Sequence, residues 1–323
     1  MDGKELRIIF MGTPVFAVAS LRALVEGGYN IVGVITAPDK PAGRGQKTTQ
    51  SAIKKYAIEK DLLVLQPEKL RNKQFIDKLK SLNADLQVVV AFRMLPEIVW
   101  AMPRLGTFNL HASLLPQYRG AAPIHWAVIN GETKTGLTTF LLNLEIDTGK
   151  ILFREEMEIG AEDTTGDVHD RLMEAGASLV LKTVDAIASG ITVPIAQEKL
   201  IGNEALKKAP KLFKEDCRIY WNNDCEKLRN LIRGLSPFPT AWSNLTNKET
   251  GEKLFTKLFF AEISSEKAKG TPGEIKSDGK NYLDVACKNG WLRITILQVA
   301  GKKRMEIEDF LRGFQQIENY CFR

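Results

Sequence analysis

The run Leu86-Gln-Val-Val-Val-Ala-Phe92 constrains the fold more than any other stretch of the chain. A half-buried strand alternates apolar and polar residues, whereas a continuous β-branched run predicts a strand covered on both faces. Shorter runs of the same kind lie at Arg7–Met11, Tyr29–Thr36 and Leu62–Leu65. Between and after them, apolar residues at helical spacing predict helices over Phe16–Glu26, Ser51–Lys60 and Asn72–Leu82. Strands alternating with helices can cover both faces of a sheet only by winding to either side of it, which predicts an α/β, doubly wound, mostly parallel sheet. Farther on, Thr138–Leu144 and Ile151–Glu158 read as a strand pair flanking the turn Asp147-Thr-Gly149, and a long helix over Thr165–Ser189 closes the domain.

At 323 residues two cores are expected rather than one. Periodicity is lost near residue 190, where Pro, Gly and charge collect. This predicts a first domain over 1–190, a linker over 191–212 and a second domain over 213–323. After a helix at Cys225–Arg233, short β-rich runs (Lys253–Phe260, Tyr282–Cys287, Trp291–Leu297) separated by turns suit a small OB-like β-barrel. Charge divides unevenly between the halves. Residues 1–206 carry 23 Lys+Arg against 24 Asp+Glu, and residues 207–323 carry 22 against 15. A basic module on a neutral one suits a polyanionic partner, nucleic acid first, and a plain solvated surface equally well. No apolar run reaches membrane-span length and the start Met-Asp-Gly-Lys-Glu has no leader pattern, so a cytoplasmic protein is expected. Cys217, Cys225, Cys287 and Cys321 have neither C-x-x-C spacing nor a nearby His, which predicts reduced thiols and no metal.

The candidate chemistry sits on Gly106-Thr-Phe-Asn-Leu-His111, which alternates as a half-buried strand should. Residues two apart point to one face, so Asn109 and His111 can address one reacting atom while Phe108 and Leu110 face the other way. A Pro/Gly loop, Pro116 to Gly120, follows, and a strand end opening into a loop is where α/β sheets place their sites. Each residue also has an ordinary role. His111 can be a packed strand residue, Asn109 a satisfied core amide, and Asp147 a turn former.

The words around these residues decide between the readings. Phe108-Asn-Leu-His-Ala-Ser-Leu-Leu-Pro-Gln-Tyr-Arg-Gly120, and Ser113 to Ile124 as a whole, resemble the folate-dependent formyltransferases, in particular the branch acting on methionyl initiator tRNA. So do Phe10-Met-Gly-Thr-Pro-Val-Phe-Ala17, Pro38-Asp-Lys-Pro-Ala-Gly-Arg-Gly45, Arg233-Gly-Leu-Ser-Pro-Phe-Pro-Thr-Ala-Trp242 and Gln298-Val-Ala-Gly-Lys-Lys-Arg304, which together span nearly the whole chain. The resemblance implies transfer of a formyl group from 10-formyltetrahydrofolate to the α-amino group of methionyl initiator tRNA, without a metal, with Asn109, His111 and Asp147 as the catalytic trio. Such acyl transfer needs a donor for the developing oxyanion, a group that moves protons near neutral pH, and something to orient it. A carboxamide, an imidazole and a carboxylate supply those three.

By the same resemblance Ser113, Leu114, Leu115 and Pro116 contact the folate, two leucines and a proline giving an apolar wall for a flat pterin. Phe92, Met94 and Leu95 are expected to complete it. Here the chain departs from the commoner pattern: Phe92-Arg-Met-Leu-Pro96 replaces a Tyr-Gly-containing segment and brings Arg93 to the pterin edge. The loop Gly12-Thr-Pro-Val-Phe16 lacks G-x-G-x-x-G spacing, and Pro14 removes a backbone donor, which excludes a dinucleotide cradle. In the family it lies near the tRNA acceptor end, so Phe16 is expected either to stack on a terminal base or to sit in the core. The basic insertion Pro38–Lys47, with Lys40, Arg44 and Lys47, corresponds to a loop entering the acceptor stem, and Arg44 suits bidentate contacts there. Lys207, Lys208, Lys211, Lys302, Lys303 and Arg304 are expected to track the RNA backbone. No apolar helix stripe calls for a partner, so a monomer is expected. An aspartic protease is rejected, because only one Asp147-Thr-Gly occurs where two aspartates must share a proton. A formyltransferase for a glycinamide nucleotide or an amino sugar should lack the Pro38–Lys47 insertion and the basic barrel. A non-catalytic tRNA-binding protein has no need of the trio.

Overall fold

Nearly every side chain of the strands Ile8–Gly12 (β1) and Leu86–Val90 (β4) is out of solvent, as the continuous apolar runs require. They lie at the centre of a seven-stranded sheet in the computed structural model, which describes residues 2–42, 47–202, 204–266 and 269–323. The chain forms two units. The first comprises 1–120, 135–158 and 169–208, and the second 121–134, 159–168 and 209–323.

In the first unit, β1 is followed by α1 (Val15–Glu26), β2 (Ile31–Ile35), α2 (Ala52–Glu59), β3 (Val64–Leu65), α3 (Lys73–Ser81), β4 and β5 (Thr107–His111). After the helix α4 (Pro123–Ile129), which belongs to the second unit, come β6 (Lys134–Leu141), β7 (Ile151–Glu158) and the long helix α5 (Thr165–Ala188). Sheet order is β7-β6-β5-β4-β1-β2-β3. The pairs β1–β2, β1–β4, β4–β5 and β2–β3 are parallel, and β6 runs antiparallel to β5. Helix starts follow capping chemistry, with Ser51 and Asn72 accepting the Lys54 and Phe75 amides at the starts of α2 and α3.

The pleat of β5 is the feature that places the site. Phe108 and Leu110 are buried on one face, while Asn109 is half-buried on the other. α5 covers the Leu110 side: a Cβ built on Gly176 would lie 2.8 Å from Leu110 Cδ2, so glycine lets helix and sheet approach closely. Farther along, the Thr183 hydroxyl meets that of Thr139, the β6 partner of Leu110, at 3.0 Å.

The second unit contains α6 (Cys225–Gly234) and the strands β8 (Ala241–Asn247), β9 (Lys253–Ile263), β10 (Ile275–Ser277), β11 (Leu283–Ala286), β12 (Trp291–Val299) and β13 (Tyr320–Phe322). They pair antiparallel in the order β10-β11-β12-β9-β8-β13. A bridge between Glu274 and Cys321, with the Phe322 amide donating to the Gly273 carbonyl at 2.8 Å, brings the two ends of that path together into a barrel. Gly273 has φ +88°, and a Cβ there would fall 2.1 Å from Phe322 O, so closure at this seam demands glycine. Leu228 and Ile232 of α6 join Leu245, Leu258, Leu292, Ile294 and Phe322 in the core.

Division at residue 190 with a linker over 191–212 does not describe this arrangement. Gln197 is fully buried and Ile195 pairs with Ile151, so this stretch is built into the first unit as far as Lys208. Segments 121–134 and 159–168 join the second unit, where Thr165 Oγ1 donates to the Gly234 carbonyl and Arg233 to that of Asp163. The apparent loss of periodicity reflects hydrogen bonding by side chains in place of helix or strand pattern.

The pleat yields a direct test. Leu110→Ala should destabilise the protein by about 2–5 kcal/mol, the range for emptying a packed leucine site. The adjacent Asn109→Ala should cost less than about 1 kcal/mol, as for a substitution outside the core. Urea denaturation of both variants checks this, and equal losses would contradict the assigned faces.

Candidate active site

His111 is the last residue of β5, opposite Thr138 of β6, and its side chain is 7% exposed. Nε2 lies 3.0 Å from the Tyr118 carbonyl oxygen. A carbonyl only accepts, so Nε2 carries the hydrogen and the neutral ring keeps its lone pair on Nδ1. Nδ1 faces Asp147 Oδ2 at 3.9 Å. That distance is too long for a direct hydrogen bond and short enough for strong attraction once the ring is charged. The Phe140 ring stands edge-on to the imidazole, 6.4 Å between centroids.

Asp147 reaches this position because the loop after β6 folds back toward the Asn109/His111 face. Its φ is +55°, the left-handed region that Asp tolerates better than most residues. Gly149 lies against the chain so closely that a Cβ would fall 1.6 Å from Leu141 O. Asp147-Thr-Gly is therefore a tight turn as well as the source of a carboxylate. Oδ2 accepts the Gly120 amide at 2.9 Å, tying the turn to the loop that follows β5.

That loop is itself braced. Ser113 Oγ donates to Gln117 O at 2.7 Å, and Thr138 Oγ1 donates to Ser113 O at 2.7 Å while accepting the Leu115 amide at 3.1 Å. The Leu115–Pro116 peptide is cis. Gln197, which no sequence pattern singles out, and Arg119, present in the quoted motif but given no role there, complete the surroundings. Gln197 Nε2 donates to the carbonyls of Asp147 and Gly149 at 2.9 and 2.8 Å, and its Oε1 accepts from Arg119 Nε and Nη2 at 3.0 and 2.7 Å. Only the fold brings these residues together.

The expected folate contacts separate by burial. Leu114 and Phe92 are half-buried and Met94 is 72% exposed, so these three present apolar surface. Leu115 packs with Phe140 and Ile151, and Leu95 sits in the core with Val89 and Val99. Their side chains pack into the interior, so of the expected wall Leu114, Phe92 and Met94 present the more exposed apolar surface. Ser113 and Pro116 are buried as well, and the Ser113 hydroxyl is engaged within the loop. Arg93 does not hang free beside this surface. Its guanidinium donates to the Glu68 carbonyl at 2.8 Å and to that of Pro67, and lies 5.7 Å over the Phe92 ring.

Phe16 is 7% exposed and edge-on to His169, with ring centroids 5.2 Å apart. That burial suits the core reading. In the basic insertion, Lys40–Ala42 pairs antiparallel with Lys47–Thr49. Asp39 anchors its base, accepting from Lys54 Nζ at 2.5 Å and Gln66 Nε2 at 2.8 Å. Lys40 is exposed, and Arg44 lies outside the described residues.

In the second unit Lys302, Lys303 and Arg304 are exposed, with the Arg304 guanidinium 4.3 Å over the Phe259 ring. Exposed Phe213 and Tyr220 are each faced by a cation, Lys211 and Arg218, a pattern that the charge count alone did not reveal. Burial pushes the Cys217, Cys225 and Cys287 thiols up, away from reactive thiolate. Among the described residues no cluster of three or more His, Cys, Asp or Glu side chains is arranged to hold a metal, and no helix is long and apolar enough to cross a membrane.

Comparison with known proteins agrees with this geometry. Residues 6–184 match the formyl transferase family model, and residues 211–315 match the formyl transferase C-terminal domain. Methionyl-tRNA formyltransferases of Parabacteroides distasonis and Bacteroides thetaiotaomicron are 56% and 55% identical, each over 99% of both chains. That of Flavobacterium johnsoniae is 50% identical over 96% of both. Among solved structures, the sugar 3N-formyl transferase WlaRD superposes with a TM-score of 0.64 at 19% identity, covering 92% of this chain and 99% of that one. HypX from Aquifex aeolicus in complex with tetrahydrofolic acid gives 0.62 at 19% identity, over 96% of this chain and 48% of that one. At such identity these two support the fold alone. On the two domain matches and the full-length identities, the chain belongs to the formyltransferase family, in its methionyl-tRNA formyltransferase branch.

Proposed function

We infer that this chain transfers the formyl group of 10-formyltetrahydrofolate to the α-amino group of methionyl initiator tRNA, giving N-formylmethionyl-tRNA for translation initiation. The observation that carries the reading is full-length identity of up to 56% to methionyl-tRNA formyltransferases, which extends through both units rather than the catalytic one alone. An enzyme for an amino sugar or a glycinamide nucleotide needs no basic barrel.

Asn109 projects from the same face of β5 as His111, and its carboxamide N–H is suited to donate to the formyl oxygen as charge builds there. His111 manages the protons. With the Nε2 hydrogen held by Tyr118 O, Nδ1 is the basic position. A proton taken there from the attacking amine makes an imidazolium facing Asp147, and the carboxylate stabilises it. The same proton then passes to the departing folate nitrogen, so the ring ends as it began. Gly120 N–H keeps Oδ2 in place throughout. The apolar surface of Leu114, Phe92 and Met94 fits a flat pterin. No covalent enzyme intermediate is needed, since the amine can attack the formyl carbon directly.

For the acceptor, the positive balance of residues 207–323 and the exposed Lys302, Lys303 and Arg304 supply phosphate contacts, with Lys207, Lys208 and Lys211 nearer the catalytic unit in sequence. Lys40, Arg44 and Lys47 of the insertion serve the acceptor stem. The enzyme works as a monomer in the cytoplasm in this reading.

Two outcomes follow. His111→Ala should lower kcat by about 10²–10⁴-fold with the fold kept, the usual worth of a general acid–base group. Single-turnover formylation alongside thermal unfolding checks this, and unchanged turnover removes His111 from the mechanism. Replacing Lys302, Lys303 and Arg304 together by Ala should weaken tRNA binding and reduce the slope of log K against log salt by about one for each phosphate no longer neutralised. A parental slope would place the RNA elsewhere on the protein.

A further inference from the structure

Gln197 is fully buried, and every hydrogen-bonding position of its amide is filled. The NH2 group donates to Asp147 O and Gly149 O, and Oε1 accepts two bonds from the Arg119 fork. This pattern fixes which way the amide points. Reversal would set NH2 against guanidinium and oxygen against two carbonyls. The charged donor also polarises the amide and strengthens its N–H groups, so the bonds to Asp147 and Gly149 gain from Arg119.

The segment gripped is the one that needs holding. Asp147 has φ +55° and Gly149 leaves no room for a side chain, so the turn is stable only where its surroundings over-determine it. Gln197 takes the carbonyls on either side of Thr148. Two residues earlier, Ile195 exchanges a pair of 2.8 Å backbone hydrogen bonds with Ile151, which anchors the segment to the start of β7. From the other direction Arg119 acts twice, with its side chain on Gln197 and its neighbour Gly120 donating to the Asp147 carboxylate.

We propose that Gln197 and Arg119 are positioning residues for catalysis, a buried relay that holds Asp147 at its distance from His111 and so sets the turnover rate without touching either substrate. The inference rests on the reading of Asp147 as the carboxylate that stabilises protonated His111.

Gln197→Glu is the sharpest probe, because it keeps size and the Arg119 contact but turns an acceptor toward two carbonyls. In the full-length enzyme it should lower kcat for formyl transfer to methionyl-tRNA by about 10–100-fold, the scale of sub-ångström to 1 Å misplacement. KM for the tRNA should stay within about twofold, since neither residue of the relay touches the acceptor. Amide hydrogen exchange over residues 144–150 should quicken by about tenfold as local opening becomes easier. In an Asp147→Ala background the same substitution should change kcat by less than about twofold, the mark of two residues acting through one group. Arg119→Lys, which keeps the charge but has no fork, should show the same pattern with a smaller fall in kcat, and it carries the test if Gln197→Glu does not fold. Parental kcat in a folded variant, or a full further loss in the Asp147→Ala background, overturns the proposal. Absence of formyl transfer by the parent enzyme would instead overturn the functional reading. In that event exchange over 144–150 decides the relay, and parental exchange in Gln197→Glu refutes it.

Discussion

The two-residue repeat of β5, pinned by β4 on one side and β6 on the other, is the constraint on which the catalytic unit depends. Parallel pairing sets Asn109 beside Val89, and antiparallel pairing sets His111 beside Thr138. A slip of one residue in either ladder would carry Asn109 and His111 beneath α5 and bring Phe108 and Leu110 to the opposite face. Burial of Leu110 under α5, allowed by the missing side chain at Gly176, opposes that slip. Packing energy on one face of the strand therefore fixes where Asn109 and His111 stand on the other.

The third group arrives by a different route. Asp147 lies on a turn whose backbone sits where few residues are comfortable, and its carboxylate would wander if the turn did. Contacts from three parts of the chain prevent this: the Gly120 amide, the Gln197 amide, and the close passage of Gly149 over Leu141 O. Polar groups perform the bracing because a turn exposes carbonyls that an apolar cover would leave unpaired. A sheet strand thus supplies rigidity for Asn109 and His111, while a hydrogen-bonded cage supplies it for Asp147.

This difference explains what could be read from the sequence. The parallel strands announced themselves because each is buried on both faces, and Leu86–Val90 emerges within the run that predicted it. His111 and Asn109 were legible from strand alternation and the words around them. The barrel runs at Lys253, Tyr282 and Trp291 became strands, whereas Ile275–Ser277 and Tyr320–Phe322 are too short to show a period. Gln197 was missed for a physical reason: its partners are carbonyls, which every residue carries, so no residue type signals the contact. The interior packing of Leu115 and Leu95 was not legible, because a leucine beside a predicted pocket looks the same whether it faces ligand or core. Phe16 posed that choice openly, and it lies buried beside His169.

Division of labour along the chain has a consequence for how acceptor choice arises. The fold is shared with a sugar 3N-formyl transferase at 19% identity, so the α/β frame does not dictate which amine is formylated. In the proposed mechanism the trio would act on a carbonyl and a proton that any primary amine presents. Selection of a tRNA must then come from groups remote from the reacting atoms. The candidates are exposed Lys40, on a strand that pairs with Lys47–Thr49 and follows Asp39, and the exposed cations of the second unit. Contacts to phosphate steer and orient a long acceptor while adding nothing at the carbonyl itself. In the proposed mechanism such contacts would hold the aminoacyl end in place, converting binding energy from the polyanion into proximity at the reacting amine. An acceptor lacking that polyanion would meet the same intact trio and react slowly, because nothing would hold its amine there.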